Sequence, residues 1–373
     1  MVKRFFKKWH EFCPTYTIMV LILMPITVFL HVLSVFSPAV ADFINRIPSQ
    51  AVRFVLAKMT GFLPFSLAEI LFIILIPLAV IGMFVSFKLA KKEDPKPSRY
   101  YLFSLLGALI TLYILFVFTL GTSYFTTTID KELGLEKTKI TKEVLFETAD
   151  AVRVQAEQEL DQITFRENGS SVMPYDLDTL NDKLNQTYKA VAQKYDFIPK
   201  LSSRTKPILS SRALTYTHMS GLYTYMTGEA NINTHFPDST LPFTMAHEMA
   251  HQRGIAREDE ANFVAFLVTM ESDDPYIRYS GYYEIFKYFV NALHAADSAL
   301  FKDIYARTDK RLVNEILAFN EFFKPYENST AATVTGTINN AYQKIQGVEE
   351  GIASYGLVVD LTVAYYQKHE TLD

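Results

Sequence analysis

The chain has 373 residues, 49% of them hydrophobic, a formal net charge of −4 and a single cysteine, Cys13. The near-neutral charge gives no support for nucleic-acid binding, and one cysteine excludes a disulfide framework and a cysteine-based metal site. The length suits more than one domain, and the apolar excess indicates membrane-spanning segments.

Apolar segments dominate the first 129 residues. Residues 12–41 contain no Asp, Glu, Lys or Arg, and a helix within them can cross about 30 Å of hydrocarbon. We predict three transmembrane helices, at about residues 15–36, 67–87 and 100–122, in a membrane anchor of residues 1–129. A cleaved signal peptide is the alternative for the first segment, but its apolar run is too long and no small-residue cleavage site follows it directly.

The distribution of basic residues predicts how these helices are oriented. The N-terminus (residues 1–11) and the loop at residues 88–99 are both rich in lysine and arginine, and the positive-inside rule places such segments in the cytoplasm. Three crossings then place residues 130–373 outside the cytoplasm. Residues 42–58 are amphipathic and are expected to lie on the membrane surface.

Residues 130–373 predict a soluble, mostly helical domain. Apolar spacing predicts helices at residues 142–164, 176–195, 302–323 and 337–346, and a last one from Ser354 onward. An aromatic stripe is expected to pack in the core: Tyr282, Tyr283, Phe286, Tyr288 and Phe289. Residues 230–233 alternate like a short strand, so the expected fold class is mainly α with a small β element.

A metal-binding motif lies near the middle of this domain. His247-Glu248-Met249-Ala250-His251 has the H-E-x-x-H pattern of zinc-dependent hydrolases. Residues four apart lie on one face of a helix, so both histidines can bind one metal ion, with Glu248 beside it as a general base. The alternative is a surface helix with two solvated histidines, but the apolar and small flanking residues favour a buried helix.

A catalytic zinc site needs a third protein ligand and an open position. Gly254 is predicted to end the motif helix, and the acidic run Glu258-Asp259-Glu260 to open the next one. Glu258 and Glu260 are both candidate ligands. We favour Glu258, because Asn262 then lies one turn further on the same face, where its amide could hydrogen-bond a histidine or the ligand.

The run at residues 241–263 resembles the gluzincin metallopeptidases, in several of which the first Glu of an E-x-E-A-D or E-x-E-A-N run is the third ligand. The chain looks most like an uncharacterised family of bacterial membrane proteins with an N-terminal anchor and a gluzincin-like domain. The similarity is densest at residues 221–263. It implies one Zn²⁺ per chain, a peptide or protein substrate, and a multi-pass protein of the bacterial cytoplasmic membrane with the lipid bilayer as its partner.

The segment at residues 216–234 is the candidate substrate-binding element. In gluzincins a strand beside the H-E-x-x-H helix pairs with extended substrate, which implies such a role for Ala230, Asn231 and Tyr223. The alternative is a hairpin buried under the motif helix. Four side chains are candidate donors to an oxyanion: Tyr223, Tyr225, His218 and His235.

We therefore expect a membrane-anchored zinc metallohydrolase, with a peptidase as the favoured class. In it Glu248 takes a proton from a zinc-activated water. The alternative is a catalytically silent zinc-binding membrane sensor or scaffold. The intact Glu248 argues against it, because a structural zinc site needs no base. An accidental motif would bind no metal at all.

Overall fold

The computed structural model describes residues 13–90, 96–136, 139–346 and 356–372. The basic N-terminus, two of the five basic residues of the loop at 88–99 (Lys91 and Lys92), and Ser354 therefore lie outside the described residues. The helices of the N-terminal region are α1 (Thr15–Phe36), α2 (Pro38–Ile44), α3 (Gln50–Thr60), α4 (Leu67–Ala90) and α5 (Lys96–Thr119).

Within the described part of the chain, α1, α4 and α5 are the helices long and apolar enough to cross a membrane. Few of their residues are buried: the buried share of the most apolar stretch is 17% in α1, 6% in α4 and 22% in α5. Such surfaces are stable in hydrocarbon rather than in water. The three predicted apolar helices are thus confirmed. Helix α5 begins four residues earlier than predicted because Pro97 is compatible with a first helical turn.

Residues 42–58 do not lie only on a membrane surface. They form the end of α2, a π-helical turn (Asn45–Ser49) and most of α3. Arg53 is 2% exposed, and its guanidinium donates to the carbonyl of Asn45 (2.8 Å) and that of Thr119 (3.2 Å). Asn45 donates to the carbonyl of Gly254 (3.2 Å). One face of this segment is therefore packed against the C-terminal domain.

The C-terminal domain is a bundle of helices around one apolar core. Its helices are α6 (Ile129–Glu132), α7 (Lys142–Glu159), α8 (Leu177–Lys194), α9 (Ser211–Leu214), α10 (Leu241–Gln252), α11 (Glu258–Met270), α12 (Pro275–Ala296), α13 (Ser298–Arg307), α14 (Lys310–Phe323), α15 (Thr330–Ile345) and α16 (Val358–His369). Helices α10 and α11 are buried along nearly their whole length.

The prediction of one helix over residues 302–323 is wrong. Thr308 has an extended backbone and ends α13, and the Asp309 side chain accepts the backbone N–H of Arg311 (2.8 Å) to cap α14. An aspartate that satisfies the first N–H groups of a helix favours a new helix start over continuation of the previous one. The apolar residues keep their helical spacing across Thr308 and Asp309, so the pattern gives no sign of this break.

A three-stranded sheet lies beside α10. Its strands are β1 (Lys206–Pro207), β2 (Gly221–Thr224) and β3 (Glu229–Ile232), in the order β1-β3-β2. Strand β3 pairs parallel with β1 and antiparallel with β2, with Leu222 opposite Asn231. The predicted strand is β3, one residue earlier than expected. It is the central strand, whereas β2 has an unpaired edge.

Buried polar contacts join the membrane helices to the C-terminal domain. The carboxylate of Glu229, on β3, accepts the backbone N–H groups of Leu67 (3.1 Å) and Ala68 (2.9 Å) at the start of α4. An anion at a helix N-terminus is stabilised by the unpaired N–H groups there. Lys206, on β1, donates to the carbonyls of Thr60 and Leu63, just before α4. The sheet therefore fixes the start of α4.

Candidate metal centre

Helix α10 carries the H-E-x-x-H motif and ends in a Schellman turn. Gly254 has φ +90°, its N–H donates to the carbonyl of His251 (2.9 Å), and the N–H of Ile255 donates to that of Ala250 (3.2 Å). The prediction that Gly254 ends the helix is confirmed. The reversal brings the first residue of α11, Glu258, back toward the histidines.

The side chains of His247, His251 and Glu258 converge on one point. Oε2 of Glu258 lies 3.1 Å from Nε2 of His247 and 3.5 Å from Nε2 of His251. The ligand atoms of the three residues all lie within 4.8 Å of one another. Ligands at about 2.0–2.2 Å from a tetrahedral zinc ion lie roughly 3.4 Å apart, so this donor set fits Zn²⁺.

The turn after α10 also orients one of the histidines. Nδ1 of His251 lies 2.7 Å from the carbonyl oxygen of Ile255. A carbonyl oxygen can only accept a hydrogen bond, so Nδ1 is the protonated nitrogen and donates to it. The lone pair of Nε2 is then directed at the convergence point. Among the described residues, Nδ1 of His247 has no hydrogen-bond partner although it is buried.

Glu248 lies beside the three converging residues. Its side chain packs against Gly221 on β2, where a Cβ would lie 2.5 Å from Oε1 of Glu248, so only glycine leaves room for this carboxylate. Oε2 is buried and has no hydrogen-bond partner among the described residues. Burial raises the pKa of Glu248 to about 7, although the two histidines and the backbone N–H of Tyr223 act in the opposite direction.

His251 and Glu258 shift each other's pKa values. Burial by itself lowers the pKa of His251, but the charge and hydrogen bond of Glu258 outweigh it and raise the pKa to about 9. For Glu258 burial by itself raises the pKa, and the two histidines outweigh it and hold the pKa well below its usual range. Glu258 is therefore an anion at neutral pH, the state in which a carboxylate binds a cation.

The structure separates Glu260, the alternative third ligand, from this cluster. Its Oε1 accepts the backbone N–H of Ile129 (3.0 Å) and lies 2.8 Å from Nη2 of Arg257. Asn262 is buried, and its amide lies 3.4 Å from the hydroxyl of Tyr288 rather than on a histidine. The hydrogen bond to a histidine that was expected from Asn262 is instead made by the backbone carbonyl of Ile255, which accepts from His251.

The predicted substrate-binding residues occupy different positions in the sheet. Ala230 and Asn231 lie on the central strand β3 and are almost fully buried. Strand β3 pairs with β2 along one edge and with β1 along the other, so it has no open edge for an extended peptide. The Asn231 amide donates to the carbonyls of Leu222 (3.0 Å) and Glu229 (3.1 Å), which ties β2 to β3. The strand beside Glu248 is β2, and Tyr223 contributes its backbone there.

One cavity is lined by Glu248, the two motif histidines and three of the four candidate oxyanion donors, His218, Tyr223 and Tyr225. Nε2 of His218 lies 2.9 Å from the carbonyl of Tyr326, and Nε2 of His235 lies 3.0 Å from its hydroxyl, so both rings are already engaged. The hydroxyl of Tyr223 is buried near Arg53, away from solvent. Tyr225 is half-buried and packs edge-on against a phenylalanine of α5.

Sequence reasoning missed two tyrosines near the cluster. The aromatic pattern places Tyr288, on α12, in the core stripe and gives no role to Tyr342, on α15. The charge of Glu258 acts on both hydroxyls. Tyr288 is four residues from Glu284, and both line the cavity described next. That spacing places them on one helix face, separate from the buried stripe, and this was the signal available in the sequence.

The metal centre opens into a cavity of about 1200 Å³, called here the metal-site cavity. It is bounded by α10, β2, α12, α15 and the membrane helices α4 and α5. The residues that line it are Phe72, Leu109, Leu112, Tyr113, Phe116, Leu120, Tyr124, residues 217–226, Phe243, Thr244, His247, Glu248, His251, Glu258, Asn262, Glu284, Tyr288, Ala332, Thr335, Gly336, Ile338, Asn339, Tyr342 and Gln346. The cluster is therefore accessible.

Comparison with known proteins identifies the family. The family model described as "Protein of unknown function (DUF3810)" matches residues 48–363, which is more than half of the chain. The chain belongs to this family. Neither a curated protein nor a solved structure matched it. The matched residues include α4, α5 and the whole candidate metal centre, but a family of unknown function gives no activity.

Proposed function

We propose that this chain is a membrane-bound, zinc-dependent hydrolase of the gluzincin type that cleaves peptide bonds. The observation that carries the proposal is the convergence of His247, His251 and Glu258 beside the buried carboxylate of Glu248, in a cavity open to a substrate. The three residues would hold one Zn²⁺ per chain. A bound Zn²⁺ supplies a Lewis acid and lowers the pKa of a water molecule toward about 7.

The protein's own groups perform the proton transfers. Glu248 accepts a proton from the attacking water and returns it to the leaving amine nitrogen. Its pKa of about 7 suits both steps near neutral pH. The hydroxyl of Tyr288, which lines the same cavity and lies 3.4 Å from the amide of Asn262, would donate to the developing oxyanion.

The open edge of β2 supports a peptide rather than another acyl substrate. The carbonyl of Ser220 accepts the N–H of Asn233 (2.8 Å). Hydrogen-bonded pairs alternate along an antiparallel ladder, so residues 220, 222 and 224 are the ones that hydrogen-bond to β3. Gly221 therefore turns its N–H and C=O groups, and Tyr223 its C=O group, to the edge that no described strand pairs with, where an extended peptide can add as a further strand. The N–H of Tyr223 points the same way but is held by Glu248. In the bacterial cell this domain would face away from the cytoplasm.

The test uses the full-length protein in detergent, loaded with zinc and analysed by elemental analysis. We expect one zinc per chain, at least tenfold weaker binding in Glu258→Gln, and unchanged binding in the matched control Glu260→Gln. Glu248→Gln should retain zinc but lose peptide cleavage by about 10³-fold or more, since the general base is removed.

Each outcome separates the alternatives. A folded protein that binds no zinc would contradict the hydrolase proposal altogether. Zinc lost in Glu260→Gln but kept in Glu258→Gln would contradict the ligand assignment. Zinc binding without turnover on a broad peptide mixture would favour the silent sensor or scaffold.

A further inference from the structure

The metal-site cavity continues from the metal centre along a membrane helix. Leu109, Leu112, Tyr113 and Phe116 of α5 line it. Leu109 lies ten residues before the end of α5 at Thr119, which is about 15 Å along the helix axis. A helix of 24 residues spans about 36 Å against about 30 Å of hydrocarbon, so Leu109 lies roughly 12 Å inside the apolar layer.

The cavity also reaches the lipid-facing surface. Phe72, on α4, and Leu109 both line it while being 43% and 64% exposed. Apart from the basic residues Lys88, Lys96 and Arg99 at the helix ends, the exposed residues of these two helices are apolar or aromatic. Ile338, on α15, lines the cavity as well and is 65% exposed. An apolar chain in the bilayer therefore has a continuous apolar path to the metal centre.

The charges in the cavity disfavour a phospholipid. Among its lining residues in the described chain there is no lysine or arginine. The ionisable groups that do line it include three carboxylates, those of Glu248, Glu258 and Glu284. A phosphate headgroup would face these carboxylates without a lysine or arginine to pair with it. The two histidines of the cluster already pair with Glu258, so burying the phosphate is costly in a low-dielectric site. A neutral chain meets no such penalty.

The remaining wall is suited to a polypeptide backbone. Gly221 presents its main-chain N–H and C=O groups along β2, beside Glu248, and Tyr223 presents its C=O group. Backbone groups on an unpaired strand edge are satisfied by another extended backbone. An acyl chain has no groups that could use them.

We propose that the substrate is an extended, uncharged and apolar segment of a membrane-anchored polypeptide, which enters the cavity from the bilayer and is cut next to the membrane surface. This inference rests on the proposed function and names its substrate class. In the reaction one water adds across the amide bond: a C–O bond forms as the C–N bond breaks. One water proton passes through Glu248 to the leaving nitrogen.

The test compares two reporters with the full-length, zinc-loaded protein in lipid nanodiscs. Both carry the same randomised eight-residue segment between a fluorophore and a quencher, but only one is joined to a 20-residue Leu/Ala transmembrane helix. We expect the anchored reporter to be cut at least tenfold faster. Leu109→Trp and Leu112→Trp should lower the ratio of anchored to soluble cleavage at least fivefold. The matched control Leu106→Trp changes an exposed α5 residue outside the cavity and should leave the ratio unchanged.

A binding measurement makes the test independent of turnover. A photo-crosslinking amino acid at position 112, in the Glu248→Gln background, should crosslink the anchored reporter. Equal cleavage of the two reporters would overturn this inference and leave the proposed function intact. Crosslinks to lipid alone would also overturn it, in favour of a lipid occupant. If neither reporter is cleaved, the proposed function fails, and the crosslink alone decides whether the polypeptide occupies the cavity.

Discussion

Replacing Gly254 with alanine tests whether the turn after α10 builds the metal centre. Gly254 has φ +90°, a conformation that costs an L-residue about 1–2 kcal/mol. The new Cβ would lie 2.5 Å from Nη2 of Arg53 and 2.6 Å from Oδ1 of Asn45. Arg53 is buried and hydrogen-bonded, so moving it costs one charge-assisted hydrogen bond, about 1.5–3 kcal/mol.

The two contributions predict a loss of about 2.5–5 kcal/mol in the free energy of unfolding. For a large domain this corresponds to a drop of at least about 5 °C in Tm, measured by thermal unfolding in detergent. Zinc affinity should fall as well, because the same turn places the Ile255 carbonyl on His251. The matched control is Gly336→Ala, in α15, where an added Cβ meets nothing within 4 Å and should raise Tm slightly. A Tm for Gly254→Ala within 1 °C of wild type would refute the reasoning.

Three further predictions concern charge, catalysis and anchoring. Burial raises the pKa of Glu315, which is 1% exposed, so the folded state holds this proton more tightly than the unfolded chain does. Protonated Glu315 therefore stabilises the folded state below pH about 4.5, the pKa of this group in the unfolded chain. As the pH rises from there through the folded-state pKa, the free energy of unfolding falls by up to about 1.4 kcal/mol per pH unit. Glu315→Gln should flatten this fall in Tm measured against pH. Tyr288→Phe should lower kcat/KM for a peptide by about 10²-fold with unchanged zinc content, since it removes one oxyanion donor. Glu229→Gln should lower Tm by weakening the cap on α4, at a cost of about 1–3 kcal/mol, because its carboxylate is buried against two N–H groups.

The controls for these variants come from the same chain. Glu167 is exposed and should tolerate substitution by glutamine without a change in Tm or in its pH dependence. An identical pH slope in wild type and Glu315→Gln would contradict the buried-carboxyl argument. Loss of zinc from Tyr288→Phe would show that the hydroxyl supports the ligands rather than the reaction. A Glu229→Gln variant as stable as Glu167→Gln would contradict the capping contact.

Local patterns in the sequence were enough for the parts that depend on neighbours along the chain. Continuous apolar runs predicted the three long helices, since a helix of this kind needs only its own backbone hydrogen bonds. The H-E-x-x-H spacing predicted two histidines on one face, and Gly254 predicted the end of α10. Both depend on contacts within five residues.

Long-range packing decided the rest. Glu258 and Glu260 are indistinguishable by composition, and only the position of Ile129 and Arg257 shows that Glu260 is engaged elsewhere. Alternation predicted β3, but strand order, which is a contact between distant segments, made β2 the open edge. The helix break at Asp309 was also hidden, because apolar spacing continues across it.

The sequence by itself determined a membrane-suited N-terminal region, a mainly helical domain and a metal-binding motif, because each is a periodic or local pattern. Only the tertiary structure placed α5 in the wall of the metal-site cavity and Tyr288 near Glu258. These side chains are far apart in sequence, and what brings them together is burial of the apolar core and of the polar contacts between anchor and domain. No local pattern encodes that proximity.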